Sequence, residues 1–193
     1  MKRVIIGAVV GTVIYFLFQT LMWEGGFHRN FYTYTPNQDT ILSTLNKNLT
    51  AEGLYVIPMA DPLSPTFKED MKKKEALMPG KPWAMVFYHP VMAGFEAGYL
   101  LRGILYVLIS CLLASLVIYY GKFDTFGARF LVAMAFSFFA LSQGVLNNMN
   151  WWSYPWKFIQ PEVIDLTIGW AICSVWLAWF VKRKAPGKQE ATP

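Results

Sequence analysis

Few side chains in this chain could do chemistry. It has two histidines, His28 and His89, and two cysteines, Cys111 and Cys173. Each histidine lies a few residues from the end of a long apolar run. With Glu24 and any of Met22, Met59, Met85 or Met92, the pair could form a copper or zinc site. Imidazole with thioether suits copper, and imidazole with carboxylate suits zinc. The two histidines stand far apart in the sequence, and packing or surface histidines are the favoured reading. Both cysteines fall midway along apolar runs, where thiols serve as small packing residues rather than as an exposed redox pair. No G-x-S-x-G or zinc-protease spacing occurs, so no catalytic set is assigned.

Charge inside apolar runs is the sharper signal, because an ionised side chain at mid-bilayer costs about 2.5–3.5 kcal/mol on insertion scales. Arg102 and Asp165 lie just inside such runs, with Glu96 and Glu162 at the interface beside them. One reading has Arg102 snorkelling to headgroups while Asp165 and Glu162 complement a helix start. The other pairs Arg102 with Asp165, locking two spans or holding a polar headgroup, with Gln19, Ser142, Gln143 and Asn147 at similar depth. That second reading keeps open an outer-leaflet enzyme that binds or modifies lipid, with Glu96 or Glu162 as a second acid. Between two apolar runs stand Trp151, Trp152, Tyr154 and Trp156, dense enough for an interfacial belt, a lid over a lipid-like or quinone-like ligand, or the hot spot of a protein contact.

The elements that must position these residues follow from composition. Of 193 residues, 55% are hydrophobic and only 15% charged. A soluble domain carries about 25% charged residues, and the mean hydropathy is +0.33, so an ordinary soluble domain and a disordered chain are both excluded. Four stretches approach or reach the roughly 20 apolar residues that cross a hydrocarbon core: Val4–Trp23, Leu100–Tyr120, Phe130–Leu146 and Pro161–Val181. Lys2 and Arg3, then Lys122 and Arg129 in the 121–129 turn, then the basic tail over 182–193 all fall on one side. The positive-inside rule therefore places both termini in the cytoplasm, the first span acting as an uncleaved signal anchor. This also accounts for the net charge of +5 without a nucleic-acid partner. The expected location is an inner bacterial membrane.

Small residues at helical spacing predict close helix packing: Gly7 and Gly11 in the first span, and Ala133, Ser137, Ala140 and Gly144 in the third. Gly7 and Gly11 could alternatively face another subunit. Segment 24–99 would be exported. Its order reads as helix from Asn37, strand over Leu54–Met59, helix capped by Ser64 with Pro65, and strand over Trp83–Tyr88. The expected fold is thus a membrane all-α protein, a four-helix bundle with a small extracytoplasmic α/β domain between the first two spans and a Trp-rich loop over 147–160. Two helices and two strands bury little core, so that domain should rest on a partner. The expected role is a non-catalytic assembly or accessory subunit, in contact with membrane lipids and with another membrane or periplasmic protein.

Overall fold

A computed structural model describes residues 1–92, 94 and 96–182. It contains four helices long and apolar enough to cross a membrane. These are α1 (Lys2–Glu24), α4 (Ala97–Tyr120), α5 (Phe126–Trp152) and α6 (Trp156–Phe180). Between α1 and α4 in sequence come α2 (Gln38–Asn48), β1 (Gly53–Ile57), α3 (Phe67–Leu77) and β2 (Ala84–Tyr88). The chain divides into two units, Met1–Thr33 with the chain from Glu96 onward, and Tyr34–Phe95. Glu24–Thr33, expected as part of the exported segment, therefore belongs with the helices. It folds back at once: the N–H of His28 donates to the Met22 carbonyl at 3.1 Å, and a single 3-10 turn follows over Arg29–Phe31.

In the helical unit α1 packs on α4 and α6, and α5 packs on α6 and α4. The helices are apolar all round, as a bundle in lipid must be. The inner face of α1 carries Val4, Ala8 and Gly11, while Ile5, Val9, Val13, Leu17 and Leu21 form an exposed stripe. Close approach depends on the α1 glycines. A methyl group at Gly7 would collide with the Val181 side chain, and one at Gly11 would crowd Leu177, Cys111 and Cys173 at 3.1–3.3 Å. Gly7 and Gly11 are thus consumed by α4 and α6 of the same chain, and the second-subunit use weighed for them does not hold.

The third and fourth spans differ from expectation at their ends. Segment 147–160, expected as a loop, is helical except at Ser153, Tyr154 and Pro155. Asn147, Asn148 and Asn150 do not stop α5, because an exposed helix end lets asparagine amides meet solvent. The break comes at Ser153, in the left-handed region at φ 51°, and Pro155 then leads into α6 with its fixed φ and no N–H to satisfy. Both helices also widen into a π turn, α5 over Leu141–Leu146 and α6 over Asp165–Gly169. Of the basic tail, only Lys182 lies within the described residues; its carbonyl accepts a 3.1 Å hydrogen bond from Arg3.

The second unit is a two-stranded antiparallel sheet with two helices. Leu54 pairs with Phe87 and Val56 with Met85 on one face, leaving Tyr55 and Tyr88 on the other. The Tyr88 hydroxyl donates to Asn46 of α2 at 2.9 Å, and Lys74 of α3 donates to the Met59 carbonyl at 2.7 Å. α3 starts at Phe67 rather than beside Pro65; in the turn before it the Ser64 hydroxyl oxygen accepts the Thr66 N–H at 3.2 Å and also meets the Thr66 hydroxyl. The Thr66 hydroxyl in turn donates to Asp70 at 2.7 Å and holds its carboxyl below the usual carboxylate range, with Lys73 adding to the effect.

Candidate functional site

The most concentrated polar chemistry in the helical unit is built on Asp165. α6 begins at Trp156, nine residues earlier, so Asp165 lies about 14 Å along the helix axis. A helix-start role for Asp165 and Glu162 is therefore ruled out, since the field of a helix end fades within the first turn. The π turn that starts at Asp165 loosens the backbone ladder locally. Thr167 donates its hydroxyl to the Val163 carbonyl at 2.6 Å, and Ser137 of α5 donates to the Leu166 carbonyl. Single π turns of this kind occur often at functional positions in helices.

Two groups from the N-terminal part of the chain converge on the carboxylate. Gln19, on the last turns of α1, donates its amide N–H to Oδ2 at 3.1 Å. His28, in the fold-back after α1, places Nε2 3.2 Å from Oδ1. Asp165 is 6% exposed and His28 completely buried. The imidazole is enclosed by aromatic rings: Trp23 meets it edge-on at 5.0 Å between centroids, and Phe31 lies tilted at 5.0 Å. Its second nitrogen, Nδ1, is buried and has no hydrogen-bond partner among the described residues. The hydroxyls of Ser115 and Ser174 also lack partners, but both sit inside helices whose i−4 carbonyl a rotated hydroxyl can reach. An imidazole fixed by a carboxylate has no such freedom.

The remaining sequence candidates fall elsewhere. Arg102 does not reach Asp165; it is exposed, with its guanidinium 4.7 Å from the centre of the Tyr99 ring one turn earlier. Gln19 of α1 and His28 of the fold-back already occupy the carboxylate that Arg102 is expected to pair with. Glu96 is exposed and precedes α4 without capping it through its side chain. Gln143 and Asn147 are exposed on α5. His89 belongs to the second unit and meets Glu52 at 3.4 Å, both well exposed. The two histidines thus sit on different carboxylates in different units, and among the described residues no group of three His, Cys, Asp or Glu side chains gathers for copper or zinc.

Of the small residues in α5, Ala133 and Ser137 are packed, the Ala133 carbonyl receiving the Trp170 indole N–H at 2.8 Å. Ala140 and Gly144 are exposed, and a methyl group at Gly144 would meet open space. Trp151, Trp152 and Trp156 are 74%, 45% and 51% exposed, and Tyr154 packs edge-on against Phe158. Cys111 and Cys173 are fully buried with their sulfurs 3.7 Å apart, and the Cys173 thiol faces the Gly11 carbonyl at 3.4 Å.

Two roles escaped the sequence reading. His28 was weighed as a ligand for metal, not as the partner of a residue 137 positions away. Arg129 was counted only as a marker of the inner side. It is 8% exposed and donates to three carbonyls, Ala178 at 2.7 Å, Phe123 at 2.9 Å and Asp124 at 2.8 Å, tying the α4–α5 turn to α6. The one available signal was its place on the first turn of α5, four residues after the capping Thr125. No protein-family model, curated protein or solved structure matches this chain.

Proposed function

We propose that this protein is an assembly or accessory subunit of a membrane complex, docking a partner through its Tyr34–Phe95 unit. One observation carries the reading: that unit is short of a core of its own. Its two helices contain no buried residue, and Ala60 and Tyr88 are its buried apolar side chains among the described residues. Leu54 and Phe87, directly opposed on one sheet face, are 46% and 64% exposed. Cross-strand apolar pairs stabilise a sheet when something covers them, and an isolated two-stranded sheet is marginal in water. The charge pattern of the flanking spans supports an extracytoplasmic side for this face, and the occupant on this reading is an extracytoplasmic segment of another membrane or periplasmic protein. A strand added at either open edge would supply both the missing backbone pairing and the apolar cover.

The test is native mass spectrometry of the protein purified from its own membranes, beside a variant carrying Leu54→Lys and Phe87→Lys. A stoichiometric partner bound to the wild type and lost from the variant, with helical circular dichroism unchanged, is the expected result. A partner that survives both lysines, or a wild type that travels alone, overturns the reading.

A further inference from the structure

The enclosed nitrogen of His28 points to a second, independent property. Asp165 accepts the Gln19 amide proton on one oxygen and meets Nε2 of His28 with the other, 3.1 and 3.2 Å away. A carboxylate is an acceptor, so Nε2 carries a ring proton, and in the neutral ring Nδ1 then presents a lone pair. Nδ1 is buried with no partner among the described residues, and buried acceptors in folded proteins nearly always have a donor.

The surroundings define it. Trp23 and Phe31 line the imidazole with ring carbon. Trp23 is 42% exposed and Phe27 63% exposed, so the cover over the histidine is itself part of the apolar surface. Two carboxylates, Asp165 and Glu162, stand one turn apart on α6, and both lie within its span. The neighbouring Arg29 lays its side chain against Gly26. An anionic headgroup is disfavoured beside that pair of acids, whereas a neutral hydroxyl donates one hydrogen bond and brings no charge. We propose that His28, oriented by Asp165, is the acceptor in a binding site for a neutral, hydroxyl-headed lipid at this end of the bundle. The carboxylate fixes the tautomer, the imidazole takes the hydroxyl proton in a hydrogen bond, and the aromatic rings hold the first carbons of the lipid. No covalent step is involved, and the site does not depend on the docking proposed above.

The experiment uses the full chain in phosphatidylcholine nanodiscs with two probes, dioleoylglycerol and its 3-O-methyl ether, in which a methyl group replaces the donor hydrogen. Wild type retains the alcohol in native mass spectra about tenfold better than the ether, the effect of one buried hydrogen bond. His28→Phe removes that preference. Because this variant could fail to fold, Asp165→Asn is measured beside it; the amide no longer fixes the tautomer, and discrimination shrinks while helical content and melting persist. Equal binding of alcohol and ether by wild type, or binding of neither, overturns the proposal. So does a nitrogen-15 shift showing Nδ1 already hydrogen-bonded in lipid-free protein, which assigns the donor to an internal water.

Discussion

Removing Asp165 should expose how tightly α1, the His28 fold-back and α6 are coupled. In Asp165→Ala the carboxylate that accepts from both Gln19 and His28 is lost. Hydrogen bonds to a charged group contribute about 1.5–3 kcal/mol each. Gln19 is only half-buried and finds another partner at modest cost. His28 is completely buried, so its Nε2–H is left without an acceptor and the desolvation cost of about 1–3 kcal/mol falls in full. The expected destabilisation is about 3–5 kcal/mol. His28→Leu should cost less, about 2 kcal/mol, because leucine fills much of the ring volume and Asp165 keeps Gln19. The informative variant is the double one. With both polar partners gone no buried donor is orphaned, and the pair should cost at least about 1.5 kcal/mol less than the two single changes summed. Unfolding in mixed detergent micelles, followed by circular dichroism at increasing dodecyl sulfate, measures all three. Additivity within about 0.5 kcal/mol would mean that the two side chains do not act on one another, and the site as described would be wrong.

Two further outcomes are expected. Gly7→Ala should destabilise the bundle by about 1–3 kcal/mol through overpacking against Val181, and Val181→Ala in the same chain should return much of that loss in the same micelle assay. In the second unit, Asp70 should titrate below an ordinary aspartate by carboxyl carbon-13 NMR, and Thr66→Ala should raise it, since the Thr66 hydroxyl is the main cause of its depressed value. The sign follows: a carboxyl lowered in the folded state contributes stability at neutral pH that is lost as pH falls through its folded value, so α3 should loosen on acidification in wild type and less so in Thr66→Ala.

The four helices were legible because composition alone forces them: a run that long and that apolar has no alternative solvent. The strands were legible for the same kind of reason, alternating Trp83, Met85 and Phe87 against Val86 and Tyr88, although their antiparallel pairing was not. Asp165 stood out as a charge where charge is costly. Its partners did not, because the sequence reading paired it by depth with Arg102, whereas contact is decided by azimuth around the helix as well. Arg102 lies on the exposed side of α4. Hydropathy also cannot distinguish an α turn from a π turn, since both are made from the same residues. The helix ends at Ser153 and Phe67 depended on one hydroxyl or one left-handed residue, details finer than periodicity resolves.

The contacts along α6 have a consequence for how one helix can carry two environments. Gly169, Cys173, Leu177 and Val181 follow one another at four-residue steps, and the structure places Phe18 against Gly169 and the α1 glycines against the other three. Asp165 stands one further four-residue step along the same line, where the π turn begins. A single face of α6 is therefore dry and closely fitted along one half and polar along the other, and α1 with the fold-back after it meets both.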